Sequence, residues 1–414
     1  MDMILARLGD LTLKGKNKRK FVKQLMMNLN QKVAFDDVTM TRMHDRVYIH
    51  LNGVDYDVVI KRLQTVSGLR GFSPVIKTDK AFETIAMHAV QLMQNITSKS
   101  SFKVESKRTD KTYPMQSPEI SRNIAGVVLK NYPTLHVDVH NPDCTLHVEV
   151  RKDHALLYTD TVQGLGGFPV GIAGKGILMM SGGIDSAVAG FLAMKQGVDV
   201  EGMHFESTPL TSVESVQKVI DLAKKLARYA VGDTFTVHIV PFTNMHQTLM
   251  KEVPSPYHIT IMRRMMVRMA DQFAARDYTP VLISGESIGQ VASQTLDSLY
   301  VQSMVAARPI IRPLACMDKI DITRLAKKID TYAISILPFD DCCNVYVPNQ
   351  VATNPRDFFA KRYERLFDYK SLIKDALTGM MTLTIHKDST FDLRGYGLTA
   401  KEAFEAMKEH DYND

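Results

Sequence analysis

The sequence has no tryptophan and only four cysteines among its 414 residues. Aromatic stacking must therefore rely on tyrosine and phenylalanine. Because the cysteines are few and no basic-then-apolar leader precedes them, a secreted disulfide scaffold is excluded and a reducing, cytoplasmic setting is expected. The cysteines also lack CxxC or Cys/His spacing, so no zinc site is expected. No stretch approaches the ~18–20 apolar residues that cross a bilayer, so no membrane partner is expected either.

Neither sign of charge dominates, since 51 Lys and Arg face 45 Asp and Glu and leave a net charge of +6. The 45% apolar and 23% charged residues are an ordinary globular balance, which excludes disordered and fibrous classes. The sequence shows no internal repeats and no low-complexity tract. At ~150 residues per domain, its length predicts two or three domains. Function therefore has to be sought in local motifs.

The densest positive charge lies near the N-terminus. Residues 14–23 carry six Lys or Arg, and no acidic residue follows until Asp36. Apolar residues recur at helical spacing from Val22 to Leu29, which places the charges at the start and on the outer face of a helix. A solvated helix face is the ordinary interpretation of such a run. Positive charge at a helix N-terminus opposes the macrodipole unless an anion arrives, so phosphate contact is an equal alternative.

The order of predicted elements changes near the middle of the chain. Up to about residue 160, short strands and helices are mixed, which predicts an α+β region. A cluster of Gly and Pro at 164–171 is the clearest linker signal, and the main domain boundary is expected there. Beyond it, apolar strands alternate strictly with helices, which predicts a doubly wound parallel sheet of the α/β class. Strands are predicted at 177–180, 198–205, 235–240, 281–284 and 309–314, with a helix from Ser287. The tail after Pro355 is predicted to be helical at first and is then ambiguous.

The first strand after the linker runs into a glycine-rich turn, Ser181-Gly182-Gly183-Ile184-Asp185-Ser186, that opens a helix. Free N–H groups and the positive end of the helix dipole make such a turn an anion site, beyond the carboxyl end of a parallel strand. Asp185 cannot donate to an anion, so Mg²⁺ coordination beside a phosphate is its expected role. The turn lacks the lysine of a GxxxxGK[ST] loop. A corner whose glycines only make the turn is the alternative, which the complete SGGxDS string disfavours.

This string resembles the pyrophosphate loop (PP-loop) of the ATP pyrophosphatase superfamily, whose members cleave ATP between the α- and β-phosphates to adenylate a substrate. Other segments resemble the ThiI family of tRNA 4-thiouridine synthases, and the resemblance covers about residues 1–350. Ala187 stands where the family usually has Pro, and Asp10 where it has Glu; both changes are expected to matter little. The matching segments are GDLTLKGKN (9–17), VDVHNPD (137–143), GGFPVG (166–171), GESIGQVASQTL (285–296), RPL (312–314) and MDK (317–319).

The resemblance implies an N-terminal ferredoxin-like domain at 1–60, a THUMP RNA-binding domain at 61–165 and a PP-loop catalytic domain at 172–355. Residues 356–414 form an extension without an assigned role. The implied reaction is sulfur transfer to the uridine at tRNA position 8, with ATP and Mg²⁺. Uracil O4 is a poor leaving group, so adenylation must precede displacement by sulfur, giving 4-thiouridine, AMP and pyrophosphate.

The sulfur carrier is expected to be Cys342 or Cys343, because the family uses a cysteine in this segment that receives a persulfide from a cysteine desulfurase. The sequence after the pair resembles the family's Cys-x-Val context and favours Cys343, while the acidic segment before it fits Cys342. Neighbouring carboxylates raise the pKa of a thiol, so a cation must oppose them. Lys319 is the candidate, and it is also suited to neutralise charge developing on the α-phosphate or on O4.

The other two cysteines, Cys144 and Cys316, are expected to be small buried apolar residues. Cys316 is a secondary candidate for a thiol that resolves the persulfide, because it is close to Lys319 in sequence. Asp318, the residue before Lys319, is as well suited to cap the following helix as to take part in the site.

Strand-end positions and the family pattern together imply the ATP-binding residues. Of two adjacent arginines in a methionine-rich helix, the family pattern favours Arg263, and the methionines are expected to be core. A structural role for His204 is as well supported as a contact with ATP. Such a contact is expected to use the backbone of His204 rather than its side chain. The ATP-binding set is Met179, Met180, Ser181, Gly182, Gly183, Ser186, His204, Phe205, Arg263, Gly285 and Gln294.

RNA recognition is expected to rest on phosphate contacts and shape, because one reader must place a single nucleotide in many tRNAs. The resemblance implies docking of the acceptor stem and 3′ end. The predicted tRNA-binding residues are Lys14, Lys16, Lys18, Arg19, Lys20, Arg108, Lys111 and Arg122. The expected partners are tRNA and a cysteine desulfurase, with a homodimer left open.

Longer family members carry a C-terminal rhodanese domain with its own cysteine. About 60 residues follow Pro355 here and none of them is cysteine, so this domain is expected to be absent. Sulfur would then pass directly from the desulfurase, and a second role in thiazole synthesis for thiamine, through a sulfur-carrier protein, is disfavoured. Two other functions are weighed: an adenylating ligase that uses ammonia or an amino acid, and a tRNA-binding module with an inactive nucleotide site. The cysteine pair disfavours the first, and the intact loop with Lys319 disfavours the second.

Overall fold

A computed structural model describes residues 3–9, 17–33, 37–43, 46–94, 96, 101–159, 162–342, 345 and 351–411. The chain divides into two compact units, Met1–Phe168 and Pro169–Asp414. The division falls inside the Gly and Pro cluster at 164–171. Within the described residues, no helix combines the length and the apolar character that spanning a membrane requires.

The first unit is a mixed sheet with helices, in the order β1 (Met3–Leu8), α1 (Lys18–Lys32), β2 (Thr39–Met43), β3 (Arg46–His50), α2 (Tyr56–Leu63), β4 (Leu69–Thr78), α3 (Phe82–Gln94), β5 (Ser101–Arg108), α4 (Ser117–Asn131), β6 (His136–Val137), β7 (Cys144–Val150), β8 (Ala155–Tyr158) and β9 (Val162–Gln163). The strand order is β2-β3-β1-β4-β8-β7-β5-β6, and β9 pairs with β4. Strand β4 is shared, because its first part pairs with β1 and Ile76–Thr78 pair with β8.

Each half of this unit has its own core. In the N-terminal half, α1 and α2 cover β1 and β3, and Val22, Leu25 and Leu29 of α1 are fully buried. This burial is the helical spacing predicted from the sequence, with the basic residues left on the other face. In the second half, α3 and α4 cover β5 and β7, and the predicted pair of strands near 150 is confirmed as the antiparallel β7 and β8.

The second unit is a doubly wound sheet, with elements in the order β10 (Lys175–Met179), α5 (Ile184–Lys195), β11 (Asp199–Glu206), α6 (Val213–Ala227), β12 (Thr234–Pro241), α7 (Thr243–Glu252), α8 (His258–Arg276), β13 (Val281–Ile283), α9 (Leu296–Ser303), β14 (Ile310–Ile311), α10 (Lys319–Lys328), α11 (Tyr332–Ser335), α12 (Asp357–Glu364), α13 (Tyr369–Thr378), β15 (Met381–His386) and α14 (Ala400–Asp411). The strand order is β14-β13-β10-β11-β12-β15. The first five strands are parallel, as predicted. Adjacent residues of β10 point to opposite faces: Ile177 packs with α7 and α8, and Leu178 packs against α5.

Two sequence predictions in this unit need correction. The helix expected from Ser287 begins at Leu296, because residues 287–289 are held as a loop by bonds such as Ile288 N–H to the Ala315 carbonyl. The strand expected at 309–314 is limited to β14, since residues 312–315 form a turn. The tail after Pro355 begins with the helices α12 and α13. The part that the sequence left ambiguous contains β15, which pairs antiparallel with β12 and extends the sheet.

Candidate active site

The loop between β10 and α5 is closed by its own serines. The hydroxyl of Ser186 accepts from the Ser181 N–H at 3.1 Å and donates to the Ser181 carbonyl at 2.8 Å. The Gly183 N–H donates to the Ser181 hydroxyl at 3.3 Å. The side chains of both serines therefore hold the turn, together with the N–H groups of Ser181 and Gly183.

A glycine lets a neighbouring strand pass against this loop. A Cβ on Gly285, just beyond β13, would lie 2.7 Å from the carbonyl carbon of Asp185 and from the nitrogen of Ser186. These are backbone atoms at the start of α5, so they cannot move aside as a side chain would. Any other residue at 285 must push β13 and the first turn of α5 apart.

Asp185 is held through both carboxylate oxygens. Lys319 Nζ lies 2.6 Å from its Oδ1, and Gln290 Nε2 donates to its Oδ2 at 2.8 Å. Asp185 and Lys319, two of the predicted catalytic residues, therefore form an ion pair, although 134 positions separate them in the chain. Gln290 was not assigned a role, but it lies in the segment 285–296 that resembles the ThiI family.

A cavity of about 220 Å³ opens beyond the carboxyl ends of the central strands. Most of the predicted ATP-binding set lines it: Met179, Met180, Ser181, Ser186, His204, Phe205, Arg263, Gly285 and Gln294. Asp185 lines the same wall, and Gly182 and Gly183 belong to the loop beside it. Sequence reasoning gave no role to the remaining lining residues, which are Met266, Val267, Ser284, Glu286, Gln302, Ile310 and Asp341.

His204 joins two strand ends. Its side chain is buried, and Nδ1 lies 3.0 Å from the Met180 carbonyl oxygen. Two residues further on, burial raises the pKa of the Glu206 carboxyl, partly opposed by its acceptance from the N–H and hydroxyl of Thr208. The side chain of His204 therefore has a structural partner already.

The two adjacent arginines of α8 have different surroundings. Arg263 lines the cavity, and its Nη1 lies 3.2 Å from Glu286 Oε1, while Arg312 Nε donates to Glu286 Oε2 at 2.8 Å. Arg264 is fully buried and forms two hydrogen bonds with Glu364 of α12, at 2.7 and 3.1 Å. Arg263 is therefore placed to meet a ligand, and Arg264 attaches α12 to the catalytic unit.

The glycine-rich loop is hydrogen-bonded to an acidic residue that also lines the cavity. The Gly182 N–H donates to both carboxylate oxygens of Asp341, at 3.0 and 3.1 Å. Beside it, Lys218 Nζ donates to the carbonyls of Leu337 and Phe339 at 2.8 and 3.4 Å. Burial lowers the pKa of Lys218, while Asp341 and Asp340 act in the opposite direction. The loop amide thus already holds an anionic acceptor.

Comparison with known proteins agrees with this arrangement. Residues 171–366 match the family model described as "Thiamine biosynthesis protein (ThiI)", residues 3–73 match the ThiI ferredoxin-like domain, and residues 79–160 match the THUMP domain. A "Probable tRNA sulfurtransferase" of Acholeplasma laidlawii (strain PG-8A) is 48% identical over 98% of this chain and 99% of that protein. The chain belongs to the ThiI family.

Two further relatives support the assignment to the ThiI family. A "Probable tRNA sulfurtransferase" of Brevibacillus brevis (strain 47 / JCM 6285 / NBRC 100599) is 42% identical over 95% of this chain and 99% of that protein. A crystal structure of a 4-thiouridine synthetase–RNA complex with bound ATP superposes with a TM-score of 0.86 at 34% identity, covering 93% of this chain and all of the other. The predicted combination of ferredoxin-like, THUMP and PP-loop domains is therefore confirmed, while the exact boundaries proposed from the sequence stay a prediction.

The cysteines differ in their surroundings. Cys342 is 6% exposed and lines the cavity together with Asp341, and Cys343 lies outside the described residues. Cys144 is buried, as expected. Cys316 is exposed, so the expectation that it is a buried apolar residue is wrong. It lies in the turn between β14 and α10. The sequence did not predict this turn, because the strand was expected to continue to residue 314.

The predicted tRNA-binding residues differ in their exposure and in the contacts they make. Lys18, Arg19 and Lys20 form the first turn of α1, which contains no acidic residue. Lys111 and Arg122 are exposed. Arg108 donates to the carbonyl of Tyr113 at 3.0 Å, so its guanidinium also holds a turn. Lys14 and Lys16 lie outside the described residues.

Proposed function

We propose that this ThiI-family chain is a tRNA uracil 4-sulfurtransferase that adenylates O4 of the uridine at position 8 and replaces it with sulfur from a cysteine persulfide. One observation carries the proposal: the glycine-rich loop, through Ser181, and the cysteine Cys342 line the same cavity. A nucleotide and a sulfur carrier can therefore meet there. The products are 4-thiouridine, AMP and pyrophosphate.

The residues present fit ATP. The cavity is bordered by the backbone of two strand ends, at Met179–Met180 and His204–Phe205, which suits recognition of adenine and ribose. The loop supplies N–H groups for the β- and γ-phosphates, and the carboxylate of Asp341 already accepts from one of them. Arg263 adds a positive charge on the same wall. This fit, with the bound ATP of the 4-thiouridine synthetase structure, supports ATP as the co-substrate.

Asp185 is the residue proposed to hold Mg²⁺. The described residues contain no group of three or more His, Cys, Asp or Glu that could hold a metal, which suits an ion bound by one carboxylate, phosphate oxygens and water. The ammonium of Lys319 at 2.6 Å shows that the carboxylate accepts a cation there. When bound, Mg²⁺ would neutralise charge on the departing pyrophosphate. Lys319, released from Asp185, would then stabilise charge on the α-phosphate or O4.

The chemistry runs in two displacements. First, O4 of the uracil attacks the α-phosphorus, the bond to the β-phosphate breaks and pyrophosphate leaves. Second, the outer sulfur of the persulfide attacks C4, the C4–O4 bond breaks and AMP leaves. The remaining sulfur–sulfur bond is cleaved by a second thiol, which ends as a disulfide that an external dithiol reduces. Exposed Cys316 is the candidate for that thiol.

Binding of tRNA is assigned to the first unit. The THUMP domain at 79–160 and the basic first turn of α1 support this assignment, together with the RNA in the related synthetase structure. The proposal further includes a cysteine desulfurase as sulfur donor, a reducing cytoplasmic setting that keeps the cysteines available, and a homodimer as an open partner state. A role in thiazole synthesis is not part of it.

A reconstituted reaction tests the proposal. The full chain is incubated with ATP, MgCl₂, a cysteine desulfurase, cysteine and unmodified tRNA, and 4-thiouridine is measured by its absorbance and by mass spectrometry of nucleosides. We expect 4-thiouridine at position 8 only. If tRNA binds and ATP is present but no 4-thiouridine forms, the proposal is wrong.

The same reaction identifies the sulfur carrier. Cys342→Ser and Cys343→Ser are compared with Cys144→Ser, which removes a thiol from the other unit. The carrier is the residue whose loss abolishes product while ATP and tRNA still bind. Full activity in both variants of the pair would refute the persulfide step.

A further inference from the structure

The carboxylate of Asp341 occupies a backbone donor that the proposed function needs for the phosphates of ATP. The Gly182 N–H donates to both of its oxygens, at 3.0 and 3.1 Å. The carboxylate is packed directly on the loop, since a Cβ on Gly182 would lie 3.1 Å from Asp341 Oδ1. A carboxylate and a phosphate are both anionic acceptors, and they cannot share this one N–H group. Binding of a polyphosphate at the loop therefore has to displace the Asp341 carboxylate from the Gly182 N–H.

The next residue in the chain is Cys342, which lines the same cavity. Because one peptide bond joins them, a movement of Asp341 away from the loop also moves the backbone of Cys342. The segment just before is fixed at a different place, where Lys218 Nζ donates to the carbonyls of Leu337 and Phe339. The chain up to Phe339 is thereby held in place when Asp341 moves.

We propose that Asp341 is a positioning residue that holds Cys342 inward while the loop is empty and releases it when a polyphosphate binds. The proposal rests on the proposed function, in which ATP uses the Gly182 amide. The Asp341 carboxylate and the polyphosphate then compete for the Gly182 N–H, and the position of Cys342 depends on which of the two is bound there. The thiol of Cys342 would be presented only when the nucleotide that activates the uracil is present.

Cysteine reactivity and pyrophosphate affinity test the proposal together. The full chain is treated with iodoacetamide with and without inorganic pyrophosphate, and alkylation of Cys342 is followed by peptide mass spectrometry. In the wild type, we expect pyrophosphate to accelerate alkylation of Cys342 about tenfold. Asp341→Asn should be alkylated fast without pyrophosphate and should bind it about tenfold more tightly, because a charge-assisted hydrogen bond no longer competes. Asp341→Glu should restore part of the dependence on pyrophosphate.

Asp340→Asn is the matched control. Asp340 is the adjacent acidic residue and is exposed, so this variant removes the same charge without touching the contact with Gly182. It should behave as the wild type. Thermal melting of each variant checks folding, and Asp341→Ala provides a second substitution if the asparagine variant melts early.

Three results have distinct meanings. If pyrophosphate binds but leaves the alkylation of Cys342 unchanged, the proposal is overturned. Equal pyrophosphate affinity of the wild type and Asp341→Asn would overturn it as well. If neither pyrophosphate nor ATP binds to the wild type, the proposed function itself fails and takes this inference with it.

Discussion

Replacement of Arg264 by leucine is expected to destabilise the second unit by about 3 kcal/mol. The guanidinium is fully buried, and it donates to Glu364 at 2.7 and 3.1 Å, to the Val301 carbonyl at 2.6 Å and to Asp357 at 3.1 Å. Without Arg264, the buried carboxylate of Glu364 keeps only its hydrogen bond from Arg268, at 3.0 Å, among the contacts described. Loss of one partner of a buried pair costs about 3–5 kcal/mol, and the retained arginine places the cost at the lower end.

This cost should appear as a lower melting temperature of the second unit. A unit of roughly 250 residues loses about 2–4 °C per kcal/mol, so the transition should fall by about 6–12 °C in differential scanning calorimetry. Arg263→Leu is the control at the adjacent position. It should lower the melting temperature less than Arg264→Leu, because Arg263 is partly exposed and Glu286 keeps its hydrogen bond from Arg312 at 2.8 Å. It should also weaken ATP binding, because Arg263 lines the cavity.

The double variant Arg264→Leu/Glu364→Leu separates pairing from packing. Removal of both partners takes away the buried carboxylate that Arg264→Leu leaves, while Arg268 and Asp357, which lose a partner, are partly exposed to solvent. Most of the lost stability should therefore return. A single variant that melts as the wild type does, or a double variant less stable than Arg264→Leu alone, would refute the reasoning. It would also refute the conclusion that Arg264 attaches α12 to the catalytic unit.

Three other substitutions test different parts of the site. Asp185→Asn should abolish 4-thiouridine formation, while tRNA affinity in a filter-binding assay should stay within about twofold. Asp185 and the predicted tRNA-binding residues lie in different units, so a fall in tRNA affinity would contradict this assignment. Gly285→Ala should lower the rate of thiolation at least tenfold because its Cβ meets the backbone of Asp185 and Ser186 at 2.7 Å, and normal kinetics would show that the close approach is unimportant. Glu206→Gln should be more stable than the wild type at pH 7: burial raises the carboxyl pKa above its ordinary 4.5, so the wild type loses stability as pH rises through the raised value. The difference should vanish below pH 4.5 in melting curves, and a difference that grows toward acid would have the wrong sign.

Much of the fold could be predicted because its signals are local. Apolar strands with a glycine-rich turn identify β10, the loop and α5, and the position of each strand end places Met180 and Phe205 at one edge of the sheet. The helix expected at Ser287 failed because contacts with residues distant in sequence hold that segment as a loop. Strand β15 was missed since its partner, β12, is more than 100 residues earlier in the chain.

Within the site, sequence reasoning could select residues but not their partners. The contacts of Asp341 with Gly182 and of Lys218 with Phe339 join residues separated by 159 and 121 positions, and no sequence motif marks them. The acidic residue before the cysteine pair was noted only as a neighbour that raises a thiol pKa. Its place on the loop amide follows from the tertiary structure alone.

The most direct test of the central claim follows the oxygen that is replaced. A tRNA carrying ¹⁸O at C4 of the uridine at position 8 is incubated with the full chain, ATP, MgCl₂, cysteine and a desulfurase, and AMP is analysed by mass spectrometry. If O4 is adenylated, each 4-thiouridine formed yields one AMP that carries ¹⁸O. If 4-thiouridine forms while AMP contains only ¹⁶O, the oxygen left by another route and the account is contradicted.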